Sequence, residues 1–158
     1  MNDYYVLQRV RGEQYEAYVV EQLRAEGVTI ARHVGREAQL LLGDTTARME
    51  IKFDRLFSAT GNLFIEVAEK RRATDLIWIP SGINACASFV WYGIGDYQDF
   101  FVFSRGALEQ EERVADRVLT IARGTSRGYL LTPDRRLALA VWERYWGAES
   151  QAQAEVTV

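Results

Sequence analysis

The stretch LGDTTARMEIKFDR, residues 42–55, sets acidic and basic side chains at spacings suited to phosphate and metal chemistry. Of 19 basic residues in the chain 17 are arginine, yet position 52 holds one of the two lysines. Glu50 and Asp54 flank it, and Asp44 lies just upstream. On a strand, successive side chains point to opposite faces. Met49, Ile51 and Phe53 then form a core face, while Glu50, Lys52 and Asp54 share the other. Asp44, across a short turn at the end of the preceding strand, is expected to converge on Glu50. Two carboxylates from adjacent strand ends suit Mg²⁺, which completes its shell with waters and a substrate phosphate. Lys52 on the same side can pair with a scissile phosphate, or hold and help activate the attacking water. Arginine, with its permanent charge and rigid fork, is less suited to that task. The same alternation also describes an ordinary solvated strand face, and the pattern by itself leaves both readings open.

Composition narrows the alternatives. The chain has 158 residues, one histidine (His33) and one cysteine (Cys86). Zinc proteases and zinc fingers need at least two ligands of the His or Cys kind. There is no Gly-x-Ser-x-Gly elbow, and neither glycine-rich phosphate-loop motif is present. Chemistry on this chain is therefore carboxylate and lysine chemistry. A hydrophobic content of 48 % excludes a disordered tail, and no apolar run approaches the roughly 18 residues that span a bilayer. The N-terminal segment lacks the basic-then-apolar layout of a signal peptide. With a lone cysteine, this makes a reducing cytoplasm the expected location and a membrane role unexpected. The net charge of −3 argues against broad nonspecific binding to nucleic acid, though not against a local basic face.

The elements that would position these residues follow from periodicity. Residues 3–26 read as a helix closed by Gly27, with Tyr15, Tyr18, Val19 and Leu23 on a core stripe and Glu16 at its margin. Residues 28–34, 37–43 and 47–55 read as three strands, and residues 62–70, 74–80, 88–95 and 99–104 continue the run. A helix is expected over residues 106–123, a short strand over 128–132, and a last helix from Pro133 to about Gly147. Residues 1–147 form one α/β domain in this reading, and residues 148–158 a flexible C-terminal tail.

A helix carrying Glu16, then Asp44, then Glu50-Ile51-Lys52 on a strand, resembles the PD-(D/E)XK nuclease superfamily. The blocks MEIKFDR, TGNLFIEVAEK, PSGI and TSRGYLL are similar to those of small uncharacterised nuclease-like proteins, many of them phage-borne. The residue before Asp44 is Gly43 rather than the proline of the name-giving pattern. The resemblance implies a restriction-endonuclease-like αβββαβ core, with a mixed central sheet flanked by helices and extra strands. It implies that Asp44, Glu50 and the Ile51 carbonyl bind one or two Mg²⁺ or Mn²⁺ ions. Lys52 would act on the water, and Glu16 would reach a metal directly or through water. The implied activity is endonucleolytic hydrolysis of phosphodiesters in DNA, in the host cytoplasm if phage-encoded. Holliday-junction resolvases, small dimeric members of the superfamily, suggest a structure-selective substrate and a homodimer. The alternative is a catalytically inactive module of the same fold that binds nucleic acid or protein.

Further candidates surround this centre. Glu66, facing away from Ile65 and Val67, would enlarge the acidic centre. Lys70 and Arg71 open a basic run, and Ser126 and Arg127 precede the last core strand; all four are phosphate-contact candidates. Asn62 belongs to SATGN, read as a hairpin tip that enters a groove. Trp142 and Trp146, one helical turn apart, read as core, dimer interface or base-stacking platform.

Overall fold

A computed structural model describes residues 3–34, 37–42, 44–115, 118–121 and 123–147. The expected tail, residues 148–158, lies outside the described residues. Helix α1 (Asp3–Ala25) buries Tyr15, Val19, Val20 and Leu23 and ends at Gly27, whose φ of 90° lets the chain reverse. Strands β1 (Thr29–Val34), β2 (Glu37–Leu42) and β3 (Thr45–Phe53) follow as an antiparallel meander. A one-turn helix α2 (Phe57–Thr60), strand β4 (Leu63–Glu69), the two-residue β5 (Ile79–Pro80) and a 3₁₀ turn (Gly82–Asn84) lead to β6 (Trp91–Gly95). That strand pairs in parallel with β3. Then come β7 (Asp99–Ser104), α3 (Arg105–Val114), β8 (Leu119–Ile121), β9 (Ser126–Leu131), α4 (Pro133–Leu139) and β10 (Trp142–Tyr145).

These strands make two sheets. A mixed six-stranded sheet runs β1-β2-β3-β6-β7-β10, and a four-stranded one runs β5-β4-β9-β8. The α/β class with a mixed central sheet and extra strands is thus as expected. Alternation on the strands sorts the core into two layers. Met49, Ile51, Phe100 and Val102 pack with α1 on one face of the large sheet. On the other face, Tyr92, Ile94, Phe101 and Phe103 pack against Leu63, Ile65 and Val67 of β4, Tyr129 and Leu131 of β9, and Leu108 of α3. The extra strands, with α3, therefore cover the face opposite α1. The crossover from β3 to its parallel neighbour carries β4 and β5 rather than a long helix.

Three elements differ from their expected extents. The helix expected over 106–123 ends at Val114, and the β-branched residues Thr120 and Ile121 join β8, which pairs with β9. The helix expected to run to Gly147 ends at Leu139, because Trp142–Tyr145 instead completes the open edge of β7. Trp142 and Trp146 are consequently not helical neighbours. Both pack on Phe100, with ring centres at 6.4 and 5.3 Å, in the layer that α1 covers. Of the strand expected over 74–80 only Ile79 and Pro80 pair, and Leu76 and Ile77 are left exposed. Among the described residues no helix is long and apolar enough to cross a membrane.

Candidate active site

Strand β3 decides what faces what. Its faces alternate as its sequence suggests, although Met49, Glu50 and Ile51 are all buried: Met49 and Ile51 point to α1, and Glu50 and Lys52 point to the other face, beside Tyr92 and Ile94 of β6. There the Lys52 ammonium lies 4.0 Å from Oε1 of Glu50 and 3.8 Å from Oε2 of Glu66 on β4. All three side chains are largely buried, with 12 to 21 % of their surface exposed. Both separations exceed hydrogen-bond length, so the ammonium is attracted to each acid without being locked onto either. Glu66 is fixed from its other side: the Ser126 hydroxyl of β9 donates to Oε1 at 2.6 Å. Behind it, Gly82 is pressed onto the Glu66 backbone so closely that a Cβ there would lie 2.1 Å from the Glu66 carbonyl oxygen. The PSGI segment and the SRGYLL strand thus hold Glu66 against Lys52.

Glu50 has a second acidic neighbour. The β2–β3 register sets it directly across from Glu37. Like charges in directly opposed strand positions repel. Here Arg48, two residues before Glu50, lies 3.9 Å from Glu37 and also donates to the Ser88 hydroxyl. Arg32, Glu37, Gln39 and Arg48 line a shallow recess of about 200 Å³ on this part of the sheet.

The register corrects the expectation for Asp44. The hairpin closes with Leu42 opposite Thr45, so Asp44 sits in the exposed turn, six positions along β3 from Glu50. At about 3.3 Å per strand residue that is roughly 20 Å, and the two do not converge. Glu37 occupies the place beside Glu50 that Asp44 was expected to fill. Glu16 is buried on α1, which packs on the Met49 and Ile51 face, whereas Glu50 and Lys52 project from the opposite one. Ile51 contributes a fully buried side chain to that α1 layer. Asp54, expected on the polar face, is a structural clamp. Its carboxylate accepts from the backbone N–H of Leu56 and of Phe64, tying the end of β3 to the start of β4. Burial pushes its carboxyl above the usual range, while those backbone hydrogen bonds pull the other way.

Among the outer candidates, Ser126 joins the centre through Glu66. Asn62 is no hairpin tip. It follows α2, its N–H donating to Thr60 Oγ1, while Arg136 donates to the neighbouring Gly61 carbonyl. Lys70 and Arg127 each pack against the ring of Trp78, and Arg71 is exposed. Sequence reasoning missed Glu37, Arg48 and Trp78. Counting outward from a two-residue turn at 43–44 pairs 50 with 37, so the signal for Glu37 was present in the spacing.

Glu50 and Glu66 offer hard oxygen donors on either side of Lys52, a set that suits a cation holding one or two carboxylates and several waters. Among the described residues no group of three or more His, Cys, Asp or Glu side chains gathers around one point. Comparison with family models, curated proteins and solved structures gives no match for this chain.

Proposed function

We propose that the protein is a Mg²⁺- or Mn²⁺-dependent nuclease that hydrolyses phosphodiester bonds in DNA, with Glu50, Lys52 and Glu66 as its reaction centre. The observation that carries this reading is the Lys52 ammonium set between two acidic side chains from different sheets, at 4.0 and 3.8 Å. A lysine in a largely buried place between two acids, one of which is held by Ser126 and Gly82, is costly to build as mere surface. In this reading Glu50 and Glu66 would hold the metal ion, which when bound would supply positive charge for the transition state and the leaving oxygen. Lys52 aligns the attacking water with phosphorus and offsets charge on a non-bridging oxygen. Ser126 keeps Glu66 from swinging away. Water adds to phosphorus and gives up one proton to solvent, the P–O ester bond breaks, and the leaving oxygen takes up a proton from solvent.

The test is cleavage of labelled four-way junction, flap, duplex and single-stranded oligonucleotides in Mg²⁺ or Mn²⁺. Wild type is compared with Lys52→Ala and Glu50→Gln, each checked for folding by circular dichroism. The expected result is cleavage by wild type alone, and the preferred oligonucleotide then decides whether the enzyme is structure-selective. Binding of all four DNAs with no cleavage by any protein would replace this reading with a catalytically inactive DNA-binding module.

A further inference from the structure

On β9, Ser126 and Arg127 point to opposite sides, and Arg127 leads away from Glu66 to a second feature. Its guanidinium lies 4.1 Å from the centre of the Trp78 ring, and the Lys70 ammonium lies 4.6 Å from the same point. Lys70 is held there by donating to the Asp75 carbonyl at 3.0 Å, and its own N–H donates to the Thr125 carbonyl next to β9. Trp78, Arg127, Val67, Ala68, Pro80 and Thr120 line an open groove of about 710 Å³. Arg71 and Arg72 are exposed immediately after Lys70.

Two cations on one indole repel each other. The electron-rich ring offsets part of this. An anion shared between them offsets more. Among the described residues neither Lys70 nor Arg127 is in an ion pair with an acidic side chain. The acid that does line the groove, Glu112, is turned to the Asn84 amide, at 3.3 and 3.2 Å. The groove thus carries the Arg127 guanidinium on the Trp78 ring beside Val67, Ala68 and Pro80, and Lys70 brings a second positive charge to the same ring.

We infer that Trp78 and the groove beside it form a phosphate-binding exosite, in which Lys70 and Arg127 hold backbone phosphates of a nucleic-acid strand. The choice of a nucleic-acid strand rests on the nuclease reading; the anion site itself rests on Trp78, Lys70 and Arg127. Its function is to retain the strand at a distance from Lys52, so its loss weakens binding more than it slows cleavage at saturation.

The test is the anisotropy of a labelled single-stranded oligonucleotide, titrated without divalent metal across a series of salt concentrations. Wild type is run beside Lys70→Ala/Arg127→Ala, Trp78→Ala and the surface control Arg24→Ala. The double variant is expected to raise Kd about tenfold and to flatten the salt slope by about 0.7 for each phosphate it no longer neutralises. Trp78→Ala keeps every charge, so a loss of several-fold in affinity there reports an organised site rather than general positive potential. Arg24→Ala, which removes an exposed charge on α1, is expected to bind as wild type does. Unchanged Kd and slope in the double variant overturn the inference, as does an absence of oligonucleotide binding by wild type. Competition distinguishes the sources of the anion: displacement at equal concentration by inorganic phosphate, a mononucleotide or polyaspartate removes the nucleic-acid strand as occupant. If wild type does not cleave but binding still depends on Lys70, Arg127 and Trp78, the exosite stands and the nuclease reading falls.

Discussion

Ser126 donates its hydroxyl proton to Oε1 of Glu66 at 2.6 Å, leaving Oε2 of the same side chain to face Lys52 at 3.8 Å. One acid is thereby oriented by a neighbour on its own sheet and aimed at a cation on the other sheet. The Ser126→Ala variant removes the orienting donor while leaving all three charged groups in place. A hydrogen bond to an acidic group is worth about 1.5–3 kcal/mol. The variant is expected to cleave roughly tenfold more slowly at saturating substrate and to melt a few degrees lower. Single-turnover rates and a thermal melt check both effects.

Gly82 has φ of 56°, and any Cβ there would meet the Glu66 backbone at 2.1 Å. Gly82→Ala is therefore expected to cost more than about 2 kcal/mol, since both the backbone conformation and the close approach oppose a side chain. The urea midpoint measures this. Because the displaced atoms belong to Glu66, cleavage should fall further than the reduced folded fraction explains.

Metal binding gives a prediction that needs no substrate. A ligand that binds only the native state stabilises it, by about 2.7 kcal/mol at a hundred times Kd. Mg²⁺ or Mn²⁺ is expected to raise the Tm of wild type by several degrees. Glu50→Gln and Glu66→Gln should each abolish the rise. A wild-type Tm indifferent to either ion would count against these acids as ligands.

Away from the site, Arg135 of α4 donates to both carboxylate oxygens of Glu111 on α3, at 2.9 and 2.8 Å. Those hydrogen bonds hold the Glu111 carboxyl below its usual range. A lowered carboxyl contributes stability above its ordinary pKa and loses it as pH falls through the depressed value. Wild type should therefore melt above Glu111→Gln at neutral pH. The gap should close in acid, as melts at a series of pH values would show.

Much of this architecture was legible in the sequence because local patterning and tertiary structure agree. The meander, the alternating faces of Met49–Lys52 and the helix stop at Gly27 all follow from short-range rules. Glu66 was legible only in part: alternation takes it off the Ile65 and Val67 face, whereas its approach to Lys52 depends on how the two sheets dock. The failures are non-local. Trp142 and Tyr145 sit in a region of helical spacing after Pro133, but the unpaired edge of β7 recruits them as a strand. Asp44 looks close to Glu50 along the chain, yet an antiparallel hairpin carries residues near its turn away from those at its open end. Glu37, thirteen positions from Glu50, is the one brought beside it. The gathering of Lys70 and Arg127 on Trp78 depends on β4 pairing with β9, an arrangement that no local pattern announces.

Because Lys52 belongs to the large sheet and Glu66 to the small one, the centre exists only while the two sheets are docked. Neither sheet carries it alone, so it behaves as a built-in gauge of tertiary packing. In rising urea, cleavage should decline together with near-ultraviolet ellipticity and ahead of far-ultraviolet ellipticity wherever a loosened state with intact strands is populated. Substitutions at the seam, such as Ile65→Ala or Phe103→Ala, would then silence the protein from a distance, by parting the charges rather than altering them.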